Sequence, residues 1–108
     1  MDDVRTLHDN LGDYQVLDVR EAWEWEAGRI EGSIHVPLNL LLGGGERGLV
    51  DQDRPVVLVC KSGNRSELAT MMLRASGFEA ENLEGGLEDW SAAGFPLTTP
   101  QGAPGRVA

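Results

Sequence analysis

The chain passes repeatedly from short apolar runs to stretches in which apolar residues recur at helical spacing. That alternation predicts an α/β domain with a largely parallel sheet. Residues 15–19, with Val16, Leu17 and Val19, form the first expected strand. Ahead of it, Val4, Leu7 and Leu11 behind the acidic pair Asp2 and Asp3 predict one short, N-capped amphipathic helix. Residues 21–27 read as a second short helix stopped by Gly28. Residues 33–36 read as a brief strand closed by Pro37, which has no backbone donor for a central ladder. Residues 38–42 have room for one helical turn, and the glycine-rich residues 43–48 are expected to form a surface loop.

Val56, Val57, Leu58, Val59 and Cys60 are apolar without alternation, as expected of a central parallel strand covered on both faces. Helical spacing resumes over residues 64–76, with Leu68, Met71, Met72 and Ala75 predicted as the buried stripe and Gly77 at the C-terminal cap. Residues 79–83 suit a last, shorter strand. Gly85 and Gly86 then turn the chain into a helix over residues 87–93, ended by Gly94, Phe95 and Pro96. Residues 1–97 are therefore expected to be a single domain, and the Gly- and Pro-rich residues 98–108 a flexible tail.

Composition narrows the function. A chain of 108 residues has room for one core and hence one site. Eighteen acidic against nine basic side chains give a net charge of -9, which argues against nucleic acid and anionic lipid as partners. No apolar run approaches the ~20 residues of a membrane span, and the start lacks the basic-then-apolar pattern of a secretory signal, so a cytoplasmic location is expected. The single cysteine cannot form an internal disulfide and cannot supply a paired-cysteine zinc site.

A lone cysteine is commonly a small buried hydrophobe. Cys60, however, ends the most buried strand, and in open α/β sheets the productive crevice lies beyond the carboxyl ends of the strands. Lys61, Ser62, Gly63, Asn64, Arg65 and Ser66 lead from it straight into a helix, so the amides of that turn can converge on an anion at the thiol. Such a helix start and its adjacent cations favour the thiolate, the nucleophilic form. Gly63 lets the loop curl with its amides inward. Ser62, Asn64 and Ser66 suit helix capping as well as anion binding. Asp18 and Arg20 end the first strand and face the same crevice. Asp18 is read chiefly as a structural tie, and Arg20 as a candidate either for binding an anionic substrate or for holding the loop. Trp23, Trp25 and Trp90 are assigned to core or rim packing, and neither His8 nor His35 is nominated as a base.

Three blocks of residues resemble the rhodanese (thiosulfate sulfurtransferase) family across nearly all of residues 16–96. The first joins Leu17, Asp18, Val19, Arg20 and Glu21 to the segment from Gly28 through Ile34, Val36 and Leu38. The second is Val59 through Cys60 and Gly63 to Ser66, and the third is Leu83, Glu84, Gly85 and Gly86 with Trp90, Gly94 and Pro96. The sequence departs from the family at Arg29, where histidine is frequent, and at Ala22, where proline is frequent. The resemblance implies a three-layer domain with a four- to five-stranded parallel sheet and neither a metal nor an organic cofactor. It also implies a Cys60 persulfide that moves sulfur from thiosulfate or a similar small anionic donor to a thiol or cyanide acceptor. Lys61, Ser62, Gly63, Asn64, Arg65, Ser66 and Arg20 would bind the donor, with Asp18 behind them. The alternatives are a non-enzymatic persulfide carrier or interaction module with a protein acceptor, and a cysteine phosphatase or arsenate reductase. The last is disfavoured because four residues separate Cys60 from Arg65, one fewer than cysteine phosphatases use to wrap a larger oxyanion.

Overall fold

The computed structural model describes residues 1–108. Its centre is a four-stranded, all-parallel sheet in the order β2-β1-β3-β4, built from β1 (Gln15–Asp18), β2 (Ile34–His35), β3 (Val56–Val59) and β4 (Ala80–Asn82). Each expected strand is present with frayed ends trimmed. The count settles at four, since the chain before β1 folds into helix α1 (Val4–Asp9) and a 3-10 turn (Leu11–Asp13). Asp3 caps α1 by accepting from the Arg5 amide at 2.9 Å.

Alternation along β3 sorts its side chains between two cores. Val56, Leu58 and Cys60 join Leu17, Val19, Leu41, Ala69 and Leu73 in one core, while Val57 and Val59 join Val16, Leu7, Leu83, Leu87 and Trp90 in the other. The first lies under helices α3 (Leu38–Leu42) and α4 (Asn64–Ala75), the second under α1 and α5 (Gly86–Ala92). Burial on both faces explains why β3 lacks a polar period. No helix of the structure is long and apolar enough to cross a membrane.

Two expectations are corrected. Of the residues expected on the buried face of α4, Met72 packs against the core, but Leu68 and Met71 are 46% and 60% exposed and Ala75 is exposed too; the fully buried residues are Ser66, Ala69, Thr70 and Leu73. That face brings Ser66 against the Cys60 sulfur at the start of the helix. The tail is also tied down. Arg29 and Thr98 exchange backbone hydrogen bonds of 3.0 and 2.8 Å, Gly105 donates to Leu97 at 2.7 Å, and Arg106 donates to Ala27 at 2.9 Å. Gly28 makes this possible, because a Cβ there would lie 2.5 Å from the Arg106 backbone.

Candidate functional site

The chain leaves β1 for β2 on one side, while β3 lies on the other, so a crevice opens at the carboxyl ends of β1 and β3. Cys60 immediately follows β3 at this point. Gly63, with φ of 98°, turns the loop in the left-handed region and brings its own N–H to 3.1 Å from the Cys60 sulfur. The Ser66 N–H approaches at 3.4 Å, and its Oγ lies 3.2 Å from the same atom. The opposite edge of the loop is held by the start of α5, where Leu87 and Glu88 donate to the carbonyls of Cys60 and Lys61, each at 2.9 Å. Those carbonyls are thereby turned away from the sulfur. Gly86 permits the contact, since a Cβ at that residue would lie 2.5 Å from both carbonyl oxygens.

Cys60 is 1% exposed. Its side chain packs against aliphatic residues on one flank and receives amide donors on the other, so negative charge on sulfur is met by oriented dipoles in place of water. Of the other loop residues, Ser62 and Asn64 are exposed, Lys61 and Arg65 half-buried, and Gly63 and Ser66 buried. The loop therefore brings Cys60, Gly63 and Ser66 together and leaves Lys61, Ser62 and Asn64 along its rim.

Arg65 is engaged elsewhere. Its two terminal nitrogens bond both carboxylate oxygens of Glu24 on α2 (Ala22–Ala27), at 2.6 and 2.8 Å. Glu24 also closes a capping box with Glu21 at the start of α2. The Arg65 hydrogen bond holds the Glu24 carboxyl below its ordinary range against the opposing effect of burial, and the same bond raises Arg65 further above its already high value. Attraction to Cys60 contributes to the latter, which places Arg65 within electrostatic reach of the sulfur.

Arg20 does not face the crevice as an anion binder. Its side chain is fully buried, bonded by Nε and Nη2 to the Asp18 carboxylate at 2.8 to 3.1 Å and by Nη1 and Nη2 to the carbonyls of Glu24 and Gly28 at 3.3 and 2.7 Å. The five N–H donors of the guanidinium are set in a fixed fork that suits this task, and four of them are engaged here. Asp18 also accepts from the Arg20 amide at 3.0 Å. His35 shares a 2.8 Å hydrogen bond with the Arg20 carbonyl and stacks on Trp25, which in turn carries Arg29 over its ring at 4.3 Å. Trp90 is core, whereas Trp23 is 65% exposed and packs in neither core nor rim.

Sequence reasoning missed two residues. Glu24 carried a signal in its capping-box spacing behind Glu21, but its partner lies 41 positions away. Asn82, at the end of β4, bonds Ser66 Oγ at 2.5 Å and the Gly63 carbonyl at 3.0 Å, and nothing local marked it. A cavity of about 450 Å³ lined by Asp13, Tyr14, Arg74, Phe78 and Glu79 lies by the start of β3, away from Cys60. It gathers carboxylates without a nucleophile, so the loop is the stronger candidate.

Comparison with known proteins gives the family of the chain. The rhodanese-like domain family matches residues 3–93. The chain is 37% identical to the thiosulfate sulfurtransferase GlpE of Pseudomonas putida over 82% of this chain and 78% of that protein. It is 36% identical over 70% of its length to the probable adenylyltransferase/sulfurtransferase MoeZ of Mycobacterium tuberculosis, but spans only 20% of that longer protein. A crystal structure of a rhodanese-related protein from Thermoplasma volcanium superposes with a TM-score of 0.82 at 33% identity, covering 88% of this chain and 93% of the other. This chain belongs to the rhodanese-like domain family.

Proposed function

We propose that the protein is a sulfurtransferase in which Cys60 carries sulfur as a persulfide. The Cys60 thiolate attacks the outer sulfur of thiosulfate, a new S–S bond forms as the old one breaks, and sulfite leaves with the bonding pair. An acceptor such as cyanide or a thiolate then takes the outer sulfur, and the pair of that bond returns to Cys60 as thiolate. No proton transfer is needed in either displacement. The single observation that carries this reading is the convergence of the Gly63 and Ser66 amides on the Cys60 sulfur at 3.1 and 3.4 Å. Donors aimed at a sulfur anion also suit the anion of a persulfide and the departing sulfite. In this reading Lys61, Ser62 and Asn64 along the loop rim receive the donor, Arg65 adds positive charge from its place beside Glu24, and Arg20 and Asp18 serve the scaffold.

The test is thiosulfate-to-cyanide transfer by the wild type and by Cys60→Ala, with mass spectrometry of the wild type after thiosulfate alone. Thiocyanate production that disappears in the variant, together with a mass gain of one sulfur, is the expected result. Equal rates in the two proteins would remove Cys60 from the mechanism. Sulfur uptake without turnover on cyanide or small thiols would mark a carrier that delivers to a protein acceptor.

A further inference from the structure

Hydrogen-bond accounting around Asn82 fixes the direction of one proton. The Gly63 carbonyl can only accept, so the Asn82 amide must turn Nδ2 toward it, at 3.0 Å. Oδ1 then faces Ser66 Oγ at 2.5 Å and can only accept, so the one hydroxyl hydrogen of Ser66 points at Asn82. The flipped amide would set two carbonyl oxygens against each other. Ser66 Oγ, 3.2 Å from the Cys60 sulfur, therefore presents a lone pair to it. In that position it accepts from a thiol S–H and cannot donate to a thiolate. Thr70 Oγ1 donates to the Ser66 carbonyl at 2.7 Å, which steadies the backbone of Ser66 and leaves its hydroxyl free to turn.

We propose that Asn82 is a positioning residue that holds the Ser66 hydroxyl as an acceptor for the Cys60 thiol, so that ionisation of Cys60 is coupled to the turning of this hydroxyl from Asn82 to sulfur. In the resting state the S–H donates to Ser66 and Ser66 donates to Asn82. When the thiol proton leaves to water, the Ser66 O–H swings to the sulfur anion and Oδ1 gives up its hydrogen bond. One proton departs and no bond to a heavy atom changes. A charge-assisted bond to sulfur replaces a neutral one to the amide, which makes the exchange favourable only once sulfur is negative, as thiolate or as persulfide. The inference rests on Cys60 being the nucleophile, but not on which sulfur compound it meets.

The charged groups about the site are Lys61 in the loop, Arg65 on α4, Glu24 on α2, Glu81 and Glu84 flanking Asn82, and the N-terminal ammonium of Met1, which donates to the Asn82 carbonyl at 2.9 Å; all stay constant in the test. Alkylation of Cys60 by iodoacetamide is followed against pH in the full chain carrying Asn82→Ala, Ser66→Ala or both. Asn82→Ala releases the hydroxyl to sulfur but also cuts the tie to Gly63, and the second effect is common to both backgrounds. Its effect on the acid-limb rate is therefore expected to be about five- to tenfold more accelerating with Ser66 present than with Ser66→Ala, with the profile displaced to lower pH. Equal effects in the two backgrounds would overturn the proposal. Asn82→Asp keeps an acceptor for the hydroxyl and adds negative charge, so it should alkylate more slowly than wild type, and faster alkylation would also overturn the proposal. Because alkylation involves no sulfur transfer, a failure of the thiosulfate assay and a failure of this one are distinguishable.

Discussion

The guanidinium of Arg65 grips the carboxylate of Glu24 with two hydrogen bonds of 2.6 and 2.8 Å, joining the first turn of α4 to the first turn of α2. The pair ties the loop that carries Cys60 to the loop that follows β1. Glu24 is 4% and Arg65 37% exposed, so the bond is shielded on one side only.

Glu24→Gln is expected to destabilise the protein by about 1–2 kcal/mol near pH 7, less than for a fully buried pair because water reaches the Arg65 side. The carboxyl is held below its ordinary 4.5 when folded. Its contribution is therefore complete above that ordinary value and is lost as pH falls through the lowered folded one. Urea unfolding at about pH 7 and about pH 3 should show a gap between wild type and variant that narrows on acidification. A gap that stays constant or widens would contradict the assignment.

Arg20 is expected to act on stability and not on donor affinity. Arg20→Met leaves the Asp18 carboxylate buried without its partner and strips donors from the carbonyls of Glu24 and Gly28, at a cost of about 3–5 kcal/mol. Arg20→Lys keeps the charge but cannot reproduce the fork, so it should lower Tm while leaving the KM for thiosulfate unchanged. A raised KM with unaltered Tm would return Arg20 to the substrate.

Glycine substitutions separate loop geometry from backbone strain. Gly86→Ala drives a Cβ to 2.5 Å from the carbonyls of Cys60 and Lys61 and must displace the loop. Loss of one aligned donor at an anion site costs on the order of tenfold or more in rate, and kcat/KM should fall at least that far. Gly94→Ala also meets a positive φ, of 82°, but has nothing within 4 Å of its Cβ. It should cost about 1 kcal/mol of stability and leave transfer activity intact, as thermal melts and the cyanide assay would report.

Much of this was legible in the chain before folding. The unbroken run ending at Cys60, the glycine that follows and the helix start that follows it are neighbours in sequence, and steric preferences and apolar periods act over such short spans. The succession of the elements along the chain and the placement of Cys60 at a strand end came from these local rules.

The folded structure decided which distant groups meet. Helix α4 turned Ser66, Ala69, Thr70 and Leu73 to the sheet and left Leu68 and Met71 outside. Arg65 found Glu24, Ser66 found Asn82, and residues 98–106 found the backbone beside Gly28. A one-dimensional pattern records which face an element prefers to bury. Partner choice across elements depends on strand register, crossover path and the satisfaction of every buried donor and acceptor, and those are fixed only when all the elements pack together.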